Sequence, residues 1–353
     1  FRYEPHVDRL MLFINAFVIS MVILVSAGNF INMYLGWELI GVTSFFLINF
    51  WSTRMSTVKS AFKAFVFNKI SDICILLGII LVAHLSLDFN IATFNATLLN
   101  YMSTDVKFLE KNISTIELIA FFFAISAFIK SAQFGFHIWL PDSMEAPVPA
   151  SSLIHSATLV SAGVFLVLRL NPLFELAQQV KSLILIIGAF TAFYGGLCAA
   201  FQTDTKRLLA YSTISHCGFL MVLTCFNNYD LVIIYLYIHG FFKASIFMCV
   251  GNVIRFANNY QDFRRMGGFS KYLPFECYTS FICLANLSGL PFTLGFYMKH
   301  FLMLNTNKDS LFMYFIFTLL FLGSLCGLVY SYRLFYYVFF DFKKGRKNVY
   351  FKL

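Results

Sequence analysis

The chain has 353 residues, 59% of them hydrophobic and only 12% charged, with a mean hydropathy of +0.75. A soluble domain carries roughly 25% charged residues, so the composition excludes one large soluble core and describes a protein that crosses a membrane many times. The formal net charge of +9 does not point to nucleic acid, because the basic residues fall mainly in the connections between apolar runs, where membrane topology accounts for them.

A membrane span needs about 20 residues, and ten stretches qualify: 10–28, 30–50, 60–84, 116–136, 151–170, 180–201, 207–226, 231–255, 273–300 and 311–340. The fourth and ninth are irregular. The fourth runs into K-S-A-Q-F-G-F-H-I-W-L-P-D-S-M-E-A-P-V-P, where Pro141, Pro147 and Pro149 each remove a backbone donor. The ninth is interrupted by Gly289, Pro291 and Gly295. Within lipid, broken backbone survives only where protein or a water-filled cavity surrounds it. Each irregular segment is the fourth of five and carries a nearby lysine, Lys130 or Lys299. This predicts an all-α polytopic membrane protein of two five-helix repeats, 1–172 and 173–353, each with a discontinuous helix. An odd number of spans inverts the second repeat relative to the first.

The N-terminus, the connections 51–59, 137–150, 202–206 and 256–272, and the basic tail K-K-G-R-K fall on one side by this count. That side carries most of the Lys and Arg, which places it in the matrix or cytoplasm. The eight cysteines form no C-x-x-C pair and lie mostly in apolar runs, so they read as small buried hydrophobes and not as a disulfide framework or metal site. The 46 phenylalanines suit an AT-rich genome such as a mitochondrial one.

Ionisable residues inside spans mark the candidate functional groups. Glu38 stands mid-span in Y-L-G-W-E-L-I-G-V, where a lone carboxylate costs on the order of 2.5–3.5 kcal/mol by insertion scales. Lys130 is a partner of opposite charge. The two would form a switch, since a nearby carboxylate holds the proton on a lysine and its withdrawal frees it; an interhelix hydrogen bond is the simpler alternative. Asp72 lies near Lys63 and Lys69, which suits either a relay or a structural ion pair. His155 follows the first break and is either a core histidine or a relay group in line with Lys130. His239 and Lys243 are four residues apart and share a helix face. Lys243 is too deep to reach either surface, which favours a relay, whereas Lys299 is nearer a span end and can snorkel. His137 and His216 carry less information, and Asp142 and Glu145 are either solvated or helix caps. There is no Gly-rich dinucleotide loop, Walker loop, iron–sulfur or haem spacing, or hydrolase triad.

The runs G-W-E-L-I-G at 36–41, K-S-A-Q-F-G-F-H-I-W-L-P-D-S-M-E-A-P-V-P-A-S-S-L-I-H-S-A-T at 130–158, D-T-K-R-L-L-A-Y-S-T-I-S-H-C-G at 204–218, H-G-F-F-K-A at 239–244 and Q-D-F-R-R-M-G-G at 261–268 resemble the antiporter-like, proton-translocating subunits of respiratory complex I. Within that family the M-E-A-P-V-P run and Lys299 are similar to the subunit 5 branch and not to subunits 2 and 4. The resemblance implies a proton half-pathway in each repeat. Glu38 and Lys130 would switch, with Asp72 beside them; His155 would lead to the centre; Lys243, helped by His239, would be the central relay; and Lys299 would stand at the exit. It further implies a mitochondrial inner-membrane location. No cofactor would bind in this chain, with NADH, FMN, Fe–S clusters and ubiquinone handled by other subunits. The partners implied are other membrane-arm subunits, especially the neighbouring subunit 4, together with lipids and no nucleic acid. The family's first three spans would precede Phe1 and its last spans and lateral helix would follow Leu353, either on separate chains or because only this portion is present here. Two departures are Tyr235, where relatives can have a histidine one turn before His239, and His300, where an Asp often follows the lysine. The rival class is a cation/proton antiporter of the Mrp type, which shares the fold and needs no electron donor.

Overall fold

The computed structural model describes residues 6–86, 88–101, 104–108, 111–156, 158–306 and 310–342. The basic tail read from the sequence lies outside them. The chain is an all-α polytopic membrane protein, with one short hairpin among the described residues. Its helices are α1 (Val7–Ser26), α2 (Phe30–Ile48), α3 (Met55–Ser86), α4 (Ile91–Thr97), α5 (Thr115–Lys130), α6 (Trp139–Asp142), α7 (Val148–Ser156), α8 (Leu159–Arg169), α9 (Asn171–Leu176), α10 (Gln178–Phe201), α11 (Thr205–Thr224), α12 (Tyr229–Phe256), α13 (Pro274–Ser288), α14 (Leu294–Thr306) and α15 (Leu311–Phe335). Among the described residues, seven helical stretches are long and apolar enough to span a membrane. The other three expected spans contain α5, which has only 16 residues; the pair α13 and α14, which is broken; and α11, which is rich in Ser, Thr and His.

Two compact units emerge, one of Phe1–Ala150 with Thr158–Ile186 and one of Ser151–Ala157 with Ile187–Leu353. In the first, α1 packs on α2, α2 on α3, α3 on α5, and α5 on α8. The connection after α3 is not a plain loop. It holds α4 and an antiparallel hairpin, β1 (Asp105–Phe108) with β2 (Lys111–Ser114). Asn90 caps α4 by accepting from the Ala92 amide at 3.0 Å, and the strand-like pairing of Asn29 with Asn90 ties the segment back to the α1–α2 corner. In the second unit α12 packs on α11 and α13, and α15 on α11, α13 and α14. Its 257–273 connection is anchored by the Asp204–Asp262 bridge. There the Arg264 guanidinium grips Asp262 and holds its carboxyl below the usual carboxylate range.

The first break begins earlier than the prolines predict. Helix α5 stops at Lys130, Ala132 takes a left-handed φ of 51°, and Gly135 follows at 91°. The Trp139 indole then returns to donate at 3.1 Å to the Ile129 carbonyl, which also accepts from the Ala132 amide at 3.2 Å, so this helix-end acceptor is well satisfied inside an apolar interior. Pro141 sits within α6 and Pro149 in the first turn of α7, where a proline costs no intrahelical bond. The second break follows its sequence signal. Gly289, at φ 79°, ends α13 with its amide on the Ala285 carbonyl, and Pro291 lies between α13 and α14.

Close packing of α8 on α5 rests on Gly163, where an added methyl would strike the Ala127 carbonyl oxygen and approach Ser131 at 3.1 Å. Gly163→Val is therefore expected to lower stability by about 1–3 kcal/mol. Gly28→Ala, whose methyl meets nothing within 4 Å, should change it by less than about 0.5 kcal/mol. Thermal denaturation of the detergent-solubilised protein reads both.

Candidate functional site at the buried lysines

In the first unit the functional groups gather where α2, α3 and α5 meet. Lys130, the last residue of α5, is 0% exposed. Its ammonium donates to the Trp37 carbonyl at 3.2 Å and stands 5.3 Å from the centre of the Trp37 ring, a geometry that supplies cation–π attraction. Gly41 lies beside it; a Cβ there would be 3.5 Å from Nζ, in ordinary contact. The Trp37 indole donates to Ser71, and Ser71 donates to the Ser126 carbonyl, each at 3.1 Å. One hydrogen-bonded line therefore fixes α2, α3 and α5 around the lysine.

The direct Glu38–Lys130 pair expected from the sequence does not form. Lys69 takes Glu38 instead, at 2.6 Å, and the acid nearest Lys130 is Asp72, at 3.9 Å. Asp72 lies 3.6 Å from Lys69 on its other side, and neither of its oxygens has a hydrogen-bond partner among the described residues. The result is an alternating row, Glu38, Lys69, Asp72, Lys130. Its outer pair is open, with side chains 40% and 36% exposed, while Asp72 and Lys130 are buried. Helix geometry explains the exchange of partners: Lys69 and Asp72 are one turn apart on α3, so α3 inserts both a cation and an anion between α2 and α5. Asp142, read as solvated or capping, is paired with Lys63 at 2.5 Å, and Ser56 donates to Glu145 at 3.5 Å.

In the second unit Lys243, 0% exposed, donates to Ser212 of α11 at 2.5 Å. His239 lies one turn earlier on α12. It is hydrogen-bonded to the Ser156 backbone, and its Nε2 has no hydrogen-bond partner among the described residues. The His239 ring centre is 5.2 Å from that of His216. His216 shares hydrogen bonds with Tyr235 at 2.8 Å and with Tyr330 of α15 at 3.4 Å. His155 is also buried in this unit, its ring 6.2 Å from that of Phe247. Lys299 does not snorkel. It is 6% exposed and reaches back from α14 to donate to the Leu287 and Ser288 carbonyls at 2.8 and 3.2 Å, with its ammonium 5.5 Å from the Phe219 ring. It thereby caps the end of α13 across the break.

Sequence reasoning undervalued His216 and did not single out Ser212, Tyr330 or the Lys69–Glu38 pairing. A signal was present for the first two. Ser212 and His216 are four residues apart on α11, as are Tyr235, His239 and Lys243 on α12, so each helix turns one polar stripe to the other.

The row in the first unit gives a test. Removing one partner of a buried ion pair costs about 3–5 kcal/mol, whereas removing both is often near neutral. Asp72→Asn is expected to destabilise within that range, and adding Lys130→Met to restore most of the loss. The midpoint of thermal unfolding for both single variants and the double variant decides it.

Comparison with known proteins matches residues 27–325 to the family described as NADH:quinone oxidoreductase/Mrp antiporter, TM. NADH-ubiquinone oxidoreductase chain 5 of Paramecium tetraurelia is 55% identical over 99% of this chain and 61% of its own length. That of Phytophthora infestans is 38% identical over 98% and 52%. The chain thus spans about half to three fifths of these relatives. Among solved structures, the Mrp complex from Dietzia superposes with a TM-score of 0.84 at 26% identity, covering 96% of this chain and 37% of that one. An archaeal membrane-bound sulfane sulfur reductase shares the fold with a TM-score of 0.85 at 19% identity, covering 98% of this chain and 68% of that one. With its buried lysines, its broken helices and a match over most of its length, the chain belongs to the NADH:quinone oxidoreductase/Mrp antiporter transmembrane family.

Proposed function

We propose that the chain is the proton-translocating core of a membrane-arm subunit of NADH:ubiquinone oxidoreductase. It would convert quinone reduction elsewhere in the complex into proton transfer across the inner mitochondrial membrane. The observation that carries this reading is Lys243: a fully buried ammonium whose partner is a neutral hydroxyl, beside two buried histidines. A structural cation at such depth would be expected to have an acid beside it, whereas a site that must both gain and lose a proton is better served by neutral partners and titratable neighbours. Lys299, also held by neutral carbonyl oxygens, follows the same logic, whereas Lys130 combines a neutral carbonyl with the acid Asp72 at 3.9 Å.

In this mechanism the row Glu38, Lys69, Asp72, Lys130 is the switch. A carboxylate approaching a buried amine favours its charged form, and withdrawal favours release. Asp72 stands between two cations without a close hydrogen bond, so a small shift of α3 relative to α5 exchanges its partner. Lys69, held to Glu38, relays a charge change arriving from outside the chain. His155, His239, Lys243 and Lys299 then carry the proton in the second unit. NADH, FMN, Fe–S clusters and ubiquinone belong on this reading to other subunits.

The open Glu38–Lys69 pair lies midway along two spans, where lipid does not solvate charge. This supports a neighbouring membrane subunit on that face, the antiporter-like subunit 4 being the candidate. The bias of basic residues supports a matrix location for the 51–59 and 257–273 connections.

The likeness to the Dietzia Mrp complex keeps a second reading in view, a cation/proton antiporter driven by a sodium gradient without NADH. Native-gel separation of gently solubilised membranes, an NADH dehydrogenase stain and mass spectrometry of the stained band distinguish the two. Co-migration with the activity is expected, and migration with antiporter partners alone would overturn the complex I reading. Within an assembled complex, Lys243→Ala is expected to lower the protons moved per NADH oxidised while leaving the complex intact on the gel. A normal ratio would show that Lys243 is not the central relay.

A further inference from the structure

The second unit holds two sets of proton-carrying groups that the roles above leave unconnected. One is His239 with Lys243. The other is Lys299, on the far side of the α13–α14 break, bound to backbone carbonyls. Neither set includes His216 or Tyr330, yet both of these are almost fully buried, at 1% and 2% exposure. A buried histidine hydrogen-bonded to two tyrosines is a demanding arrangement for mere packing, because every polar atom brought into the interior must find a partner.

Three observations place these residues between the two lysines. The His216 ring lies against His239, with centroids 5.2 Å apart. The His216 Nε2 and the Tyr330 hydroxyl are 3.4 Å apart, so one end of the imidazole points towards α15. The third is Gly327, one turn before Tyr330 on α15. A Cβ built there would lie 3.5 Å from the Lys299 ammonium and 3.9 Å from the Tyr330 hydroxyl. Both groups therefore overlook the same missing side chain, near enough for one or two waters to join them.

We infer that His216 and Tyr330 are relay residues, passing the proton between the His239–Lys243 pair and Lys299, with water over Gly327 completing the step beside Lys299. The inference rests on the proton-translocating reading above. Imidazole suits the task because one nitrogen accepts a proton while the other gives one up. The tyrosine hydroxyl passes it on by accepting one and donating its own, with no net change of charge. Ser212 orients Lys243, and the Tyr235 hydroxyl, hydrogen-bonded to the His216 Nδ1, hands the proton to that nitrogen as Nε2 gives one to Tyr330. The absence of a side chain at residue 327 keeps space beside both groups.

The test uses the assembled complex with three variants alongside Lys243→Ala as internal standard. Tyr330→Phe removes one hydroxyl. His216→Met keeps an apolar side chain of similar bulk. Gly327→Ala is the most discriminating. Its methyl makes only ordinary van der Waals contact with Lys299 and Tyr330, and alanine is the better helix former, so its thermal stability should stay equal or rise. Protons pumped per NADH oxidised and the solvent deuterium isotope effect on coupled turnover are measured for each. The expected result is that Tyr330→Phe, His216→Met and Gly327→Ala all reduce the pumped ratio towards that of Lys243→Ala. Double variants with Lys243→Ala should be no worse than Lys243→Ala alone, and the isotope effect should rise in Gly327→Ala, which a packing defect would not produce. If Lys243→Ala lowers the ratio while Tyr330→Phe and Gly327→Ala pump normally, the bridge is wrong and the relay lysine stands. If Lys243→Ala itself pumps normally, the proton-translocating reading fails, and the bridge with it.

Discussion

An ammonium group in a bilayer interior has no water to solvate it, and this constraint organises the chain more than any pattern of apolar residues does. Lys130, Lys243 and Lys299 are each nearly or wholly removed from solvent. Each must find oxygen atoms, yet an unbroken helix offers only the second lone pair of carbonyls already bonded to amides four residues on. The chain meets the demand in three ways. Lys243 takes a serine hydroxyl from the next helix. Lys299 takes two carbonyls that a broken helix leaves free. Lys130 presses onto a carbonyl within an intact helix, beside an aromatic ring and with an acid just beyond hydrogen-bonding range.

The two helix breaks are therefore not two copies of one device. In the first, the lysine is the last residue before the break, and the Ile129 carbonyl is occupied by the Ala132 amide and the Trp139 indole. In the second, the lysine comes after the break and is itself the cap for the helix before it. The distinction matters for proton transfer. A lysine that caps a helix end loses part of its surroundings if the two half-helices move apart, so its hold on a proton is tied to backbone geometry. A lysine beside Asp72 is tied to the position of a side chain that has another cation to turn to. On the proposed reading, the first unit would respond to charge, and the second to the separation of α13 and α14.

Much of this was written in the sequence, though unevenly. Apolar runs marked the spans, because residues facing lipid have no choice of chemistry. Gly289 and Pro291 marked the second break because no other residues build it at low cost. The first break was legible in outline but misplaced, since its earliest step is a left-handed alanine, a conformation signalled by glycine or asparagine and not by alanine. Lys130, Lys243, His155 and His239 stood out as costly groups at depth. Their partners did not, because partnership depends on how neighbouring helices rotate about their axes. Glu38 was the expected partner of Lys130, with Asp72 near Lys63 and Lys69, and only the packing of α3 between α2 and α5 assigns Glu38 to Lys69 and brings Asp72 to Lys130. His216 was hidden by its company: α11 is lined with Ser and Thr, and one more polar residue on it gave no contrast.

Glycine usage adds a last step. At Gly163, Gly218 and Gly295 a methyl would run into the backbone of a neighbouring segment, so glycine there lets main chains touch, as is usual between helices in membranes. Gly41 and Gly327 are different. A Cβ at either would sit 3.5 Å from a lysine ammonium, Lys130 in one unit and Lys299 in the other, in ordinary contact and without collision. Packing alone would tolerate alanine at both places, and alanine would favour the helix by about 1 kcal/mol. Glycine at both is better explained by what the space does for the cation. A buried amine that must release and regain a proton needs room for the molecule that brings it, and a missing methyl beside Nζ is the smallest room a helix can provide.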